Sequence, residues 1–138
     1  MRLVSWNCRG LGNPLKAEAV KYLLKVESLE IFLLQETKIE GETLLEISKS
    51  KWKKNAGKAI SARGSFGGLA TLWKEDMFQL ENSIETQHWI YTELRQPSSK
   101  LSISLFNLYV HTIFSEKECW QALYDFLKNH SPKNIIPI

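Results

Sequence analysis

A chain of 138 residues with 43% hydrophobic and 11% aromatic residues has the length and composition of one globular domain and argues against a disordered tail. The net charge of +3 points only weakly to an anionic partner, so where the charges lie matters more than their sum. Cys8 and Cys119 stand far apart, outside any Cys-x-x-Cys or Cys/His cluster, which reads as reduced thiols in an intracellular protein and argues against zinc. No apolar run approaches the roughly 18 residues that span a bilayer, and Met1 leads straight into a strand, so neither membrane insertion nor secretion is expected and the compartment is nuclear or cytoplasmic.

In chain order, Leu3 to Asn7 is a strand-like run that enters a turn punctuated by Gly10 and Gly12. Asn13 and Pro14 then suit the cap and first position of a helix running to about Val26, with Ala17, Val20, Leu23 and Leu24 on its apolar face. Ile31 to Gln35 is a continuous apolar run of the kind buried on both faces, and β-helix-β order places it parallel beside the first strand. A short helix follows from Gly41 to Ser48. Strands are then expected at about Trp52 to Ala62, Leu69 to Trp73, Met77 to Thr86, Trp89 to Arg95 and Leu101 to Val110, the last two forming a hairpin through Pro97-Ser98-Ser99-Lys100. Ser115 and Glu118 have the spacing of a capping box, ahead of an apolar stripe of Trp120, Leu123, Tyr124 and Leu127. Ile135, Ile136 and Ile138 read as the opening of one more strand. No repeat or linker divides the chain, so residues 1–138 are one domain or part of one.

Asn7 and Glu36 leave the carboxyl ends of two neighbouring strands, where an amide and a carboxylate can face one site. One carboxylate supported by an amide suits magnesium, which takes hard oxygen ligands and keeps several waters. The competing readings are an asparagine that bonds its own turn and a solvated loop acid. Asn107 and Tyr109 alternate on one strand and point to one face, and a tyrosine hydroxyl at a strand end can bond a phosphate oxygen; as a rim residue it does nothing more. Gly67-Gly68 reads as a bulge or turn before a strand rather than a phosphate cradle. From Lys49 to Arg63 the chain holds Lys49, Lys51, Lys53, Lys54, Lys58 and Arg63 with no acid, the footprint of a nucleic-acid backbone contact or of a solvated strand face. His88, His111 and His130 are scattered and read as surface residues.

Taken together, Ser5-Trp6-Asn7-Cys8-Arg9-Gly10-Leu11-Gly12, Leu34-Gln35-Glu36-Thr37-Lys38, Gly67-Gly68-Leu69-Ala70 and Asn107-Leu108-Tyr109 resemble the endonuclease/exonuclease/phosphatase family, most closely the endonuclease domains of plant LINE-type non-LTR retrotransposons. The resemblance implies an α/β fold, part of a four-layer sandwich with roughly one sheet and its covering helices present, whose uncovered sheet face would favour self-association. It also implies a metal-dependent phosphodiesterase acting on DNA, with Mg2+, or Mn2+ in its place, held by Glu36 and Asn7, and with Asn7, Glu36 and Tyr109 at the reacting phosphate. Lys51, Lys53, Lys54, Lys58 and Arg63 are the expected nucleic-acid contacts. The sequence departs from the family at His111, where proline is common, and lacks the Gly-Asp-x-Asn motif and the Asp-His pair that supply the family's base. The expectation is therefore the amino-terminal part of the domain, inactive alone, with a residual nucleic-acid-binding module or a structural remnant as the alternatives.

Overall fold

The strand at residues 31–35 becomes the buried centre of the molecule because it carries apolar side chains on both faces and no charge. In the computed structural model, which describes residues 1–25, 29–52, 54–63, 66–110 and 113–129, it is β2 (Ile31–Gln35). It pairs in parallel with β1 (Leu3–Asn7) and antiparallel with β4 (Phe66–Lys74), and β4 pairs with β3 (Asn55–Arg63), giving the sheet order β1-β2-β4-β3. A second, antiparallel sheet holds β5 (Gln79–Glu85), β6 (Trp89–Gln96) and β7 (Leu101–Leu108). Where roughly one sheet was expected, the strands divide between two, and the mixed α/β architecture stands.

Period-two alternation assigns every strand residue to a layer. Ile31 and Leu33 of β2 and Trp73 of β4 face Leu94 of β6 and Ile103 and Leu105 of β7, forming the core between the sheets. Phe32, Leu34, Ala70 and Leu72 face the other way, under α1 (Pro14–Lys25) and α2 (Gly41–Lys51), through Ala17, Val20, Leu24 and Leu44. Burying each such side chain contributes about 1.5–3 kcal/mol. On the far side of the second sheet, Trp89, Tyr91 and Phe106 receive Cys119 and Phe126 of α3 (Ile113–Asn129), with ring centroids 4.8 Å apart for Tyr91–Phe126 and 5.4 Å for Phe106–Phe126. Each sheet thus has apolar side chains packed on both faces, while β5 stays largely exposed.

Several boundaries move for physical reasons. The α1 start is as expected: the Leu15 N–H donates to Asn13 Oδ1 at 2.9 Å, and Pro14 needs no donor partner there. Helix α2 runs on to Lys51, so Trp52 ends a helix instead of opening a strand, and its indole Nε1–H donates to Ala17 O at 3.2 Å. Strand β4 begins at Phe66, earlier than its apolar run, because Gly67 and Gly68 take left-handed backbone (φ 76° and 91°) that other residues resist. The hairpin between β6 and β7 forms as expected.

Helix α3 starts two residues before Ser115, which therefore lies inside its first turn and not at the cap. Its expected apolar stripe is also corrected. Cys119, Leu123 and Phe126 face the sheet, while Trp120, Tyr124 and Leu127 stay exposed, because the aromatic cluster on β6 and β7 receives Phe126 and fixes the helix's rotation. Both cysteines are free and buried, and burial raises both thiol pKa values. Among the described residues no helix is long and apolar enough to cross a membrane. The strand expected at Ile135 to Ile138 lies outside the described residues, as do His111 and His130.

Candidate functional site

Parallel pairing puts Asn7 opposite Gln35, so the chain leaves β1 and β2 at the same pole and the two loops run side by side. The N–H groups of Cys8, Gly10 and Leu11 donate to the carbonyls of Gln35, Glu36 and Thr37 at 3.0, 2.7 and 2.8 Å. From the other side, the N–H groups of Thr37 and Lys38 donate to Gly68 O and Gly67 O at 3.1 and 2.9 Å. The Glu36 loop is therefore stitched to both neighbours. Arg9, Glu36 and Lys38 all hold left-handed backbone (φ 50°, 53° and 57°), a conformation that costs a non-glycine residue about 1–2 kcal/mol and that the surrounding hydrogen bonds sustain. Lys16 of α1 reaches back to donate to Cys8 O and Arg9 O at 2.7 and 3.1 Å, satisfying turn carbonyls that have no helix or sheet partner.

The expected residues meet in part. The Tyr109 hydroxyl donates to Glu36 Oε1 across the 73 residues that separate them. Asn7 is exposed at the same pole, and its Oδ1 accepts the Arg9 N–H at 3.3 Å, so it does bond its own turn while its amide group remains at the surface. Glu36 and Tyr109 are half-buried. Burial, then the hydrogen bond to Glu36 and its charge, push the Tyr109 phenol from 10 up to about 12, against an opposing pull from the Arg9 guanidinium. Arg9 therefore brings a positive charge to the site, a residue the sequence reading passed over. Its signal was its place two residues after Asn7 in the same glycine-bearing turn.

Asn107 shares the inward face with Ile103 and Leu105 but is only 1% exposed, so it works inside the fold and not at the surface with Tyr109. Its Nδ2 group donates to Ala70 O and Leu34 O at 2.8 and 3.2 Å, and its Oδ1 accepts from Gln35 Nε2 at 2.8 Å. Gln35 Nε2 also donates to Ser5 Oγ at 3.0 Å. A side chain of the second sheet thereby clamps two strands of the first, β2 and β4, and through Gln35, next to Glu36 in the chain, is linked to Ser5 of β1.

The basic run does not form one patch. Helix α2 ends at Lys51, Lys54 lies at the pole opposite Glu36, beside the start of β3, and Lys58 faces inward at mid-strand opposite Thr71. Strand β3 comes level with Gln35 at Ile60, so of the basic residues on it only Arg63, which pairs with Phe66, lies at the Glu36 pole. Lys53 lies outside the described residues, as do the side chains of Lys51 and Arg63. A strand rising about 3.3 Å per residue spreads such a run over its length.

The state of Tyr109 is directly measurable. Its pKa is higher folded than unfolded, so its contribution to stability is fully present below pH 10 and is lost as the pH rises through about 12. Ultraviolet titration of the phenolate is expected to show a transition near pH 12 that Tyr109→Phe removes. A Tyr109→Phe titration curve unchanged at that end would contradict the bond to Glu36.

Comparison with known proteins identifies the fold. The chain is similar in structure to an AP endonuclease, LMAP, from Leishmania major (TM-score 0.61, 19% identity, 79% of this chain and 40% of that one). It is similar to a humanized D. rerio TDP2 (TM-score 0.70, 12% identity, 96% of this chain and 61% of that one). An AP endonuclease from Archaeoglobus fulgidus superposes with a TM-score of 0.66 at 18% identity over 94% of this chain and 52% of that one. At these identities the likeness is one of fold, and the chain spans less than two thirds of each of these proteins. No curated protein sequence matches it. Residues 4–130, most of the chain and all four of the blocks that form the two loops, the glycine pair and the Tyr109 strand, match one family description, and the chain belongs to the Endonuclease/Exonuclease/phosphatase family.

Proposed function

We propose that this chain carries one side of a divalent-metal phosphodiesterase site acting on nucleic acid, with DNA as the substrate, and that its 138 residues do not complete the reaction alone. The observation that supports this most is the bond from the Tyr109 hydroxyl to Glu36 beside Asn7 and Arg9, at the carboxyl ends of two parallel strands.

The donor set fits a hard cation only in part. Glu36 keeps a second carboxylate oxygen and Asn7 an exposed amide oxygen, both suited to Mg2+ or Mn2+, but among the described residues no group of three His, Cys, Asp or Glu side chains converges on one point. Magnesium takes few protein ligands and completes its shell with water and phosphate oxygens, so one carboxylate and one amide suffice to hold it weakly. When bound, the metal would supply Lewis-acid polarisation of the phosphate. The chain's own groups do the rest: Tyr109 fixes the rotamer of Glu36, Arg9 offers its guanidinium to the phosphate charge, and Asn7 presents its amide to a phosphate oxygen. The sequence lacks the family's Gly-Asp-x-Asn motif and Asp-His pair, which is why turnover by this chain alone is not expected. Retroelement ancestry is proposed on the four sequence blocks alone. A pure nucleic-acid-binding role through the basic run finds less support, because its lysines lie at separate levels of the fold.

Manganese titration followed by the loss of the free-ion paramagnetic signal tests the reading. Wild-type protein is expected to bind one ion, and Glu36→Ala to weaken it by about tenfold or more, as for removal of a charged ligand. Equal binding by the variant, or magnesium-dependent nicking of supercoiled DNA that Glu36→Ala leaves unchanged, would refute it.

A further inference from the structure

At the pole opposite Glu36, the ends of four elements close around a cleft of about 570 Å3 lined by Lys21, Lys25, Lys54 and Lys74 together with Asp76 and a floor of Leu24 and Trp52. Lys21 and Lys25 come from the last turns of α1, Lys54 from the turn before β3, and Lys74 from the end of β4 opposite Asn55. Lys21 and Lys74 are half-buried, and among the described residues none of the four ammonium groups forms an ion pair. Four cations against one carboxylate, over a floor whose Leu24 and Trp52 are 5% and 2% exposed, concentrate positive potential where low-dielectric walls strengthen it. The volume is that of a small-ligand cleft, larger than one inorganic phosphate requires.

We infer that this cleft is a second anion site, taking a compact ligand with two or more negative charges on phosphate. Convergence of the lysines from three parts of the chain suits a terminal or clustered phosphate group better than an extended chain of single charges. The site stands about 20 Å from Glu36, because the Lys74 N–H bonds Glu30 O, six residues before Glu36 at about 3.3 Å each, so it is separate from the metal-binding reading and does not depend on it. Two sources share this chemistry: a free oligophosphate and the terminal phosphate of a nucleic-acid strand.

Tripolyphosphate titrated calorimetrically, in EDTA at about 50 mM salt, is the test. One saturable site is expected. Lys21→Gln with Lys74→Gln should weaken it about tenfold or more, Lys49→Gln with Lys117→Gln less than about twofold, and Asp76→Asn should tighten it about threefold. Competition by a 5′-phosphorylated tetranucleotide but not by its 5′-hydroxyl form assigns the ligand to a strand terminus, and competition by neither assigns it to free oligophosphate. The absence of saturable binding, equal losses in both lysine pairs, or a loss confined to Arg9→Gln would each overturn the inference, the last by moving the ligand to the other pole.

Discussion

Asn107→Ala is expected to lower folding stability by about 3 kcal/mol, the sum of a small cavity and of buried polar groups left without their partner. The side chain is 1% exposed and ties the second sheet to the first, donating to Ala70 O, Leu34 O and, at 3.3 Å, Thr71 Oγ1, and accepting from Gln35. Its removal strands the Gln35 amide, which keeps only Ser5, and takes a donor from two carbonyls in the middle of the first sheet. Asn107→Leu separates the two contributions, since it keeps the volume but none of the bonds. If the polar groups dominate, leucine recovers less than half of the loss. Urea unfolding with an unchanged m-value measures both, and a loss under about 1 kcal/mol for alanine would show that the clamp carries no weight. Because Tyr109 follows Asn107 by two residues, the pH 12 phenol transition should also shift towards 10 in the alanine variant, as the second sheet loosens against Glu36.

Gly68→Ala should cost a similar amount, about 2–4 kcal/mol, for a different reason. A Cβ built on Gly68 would stand 2.2 Å from Thr37 Oγ1 and 3.1 Å from Lys38 N, and the residue also holds φ 91°. Thr37 has no room to yield at 1% exposure, so the Glu36 loop itself must move. Gly67 is the internal control. It has φ 76° but open space where its Cβ would point, so Gly67→Ala should cost only the backbone penalty of about 1 kcal/mol. Among the described residues Thr37 Oγ1 has no hydrogen-bond partner, so the double change Gly68→Ala, Thr37→Ala should recover the steric part and leave a loss close to that of Gly67→Ala. Equal losses for the two single glycine variants would remove the clash from the account.

These two positions show how far local sequence carries. The glycine pair was legible as unusual backbone, but its reason lies in Thr37 and Lys38, 31 and 30 residues earlier in the chain, and no local propensity encodes that approach. Asn107 was legible as a polar residue on a strand face. That the face is internal depends on β7 stacking over β2, a contact between sheets and not within one. The helix at residues 113–129 has apolar side chains around much of its circumference, so periodicity alone admitted more than one inward face, and packing of Phe126 on Tyr91 and Phe106 selected one. The basic run read as one surface because it is contiguous in sequence, whereas strand alternation and rise divide it between faces and poles.

By itself, the sequence determined the identity and order of the elements, the parallel pairing that brings Asn7 and Glu36 to one pole, and the family, because each of these rests on short-range patterns of burial, turn chemistry and motif. Only the tertiary structure decided that the strands form two sheets, that Tyr109 bonds Glu36, that Arg9 joins them, and that four lysines from three parts of the chain converge on one cleft. Those are contacts between residues that are mostly distant in sequence, fixed by how sheets and helices pack and not by what any one segment prefers.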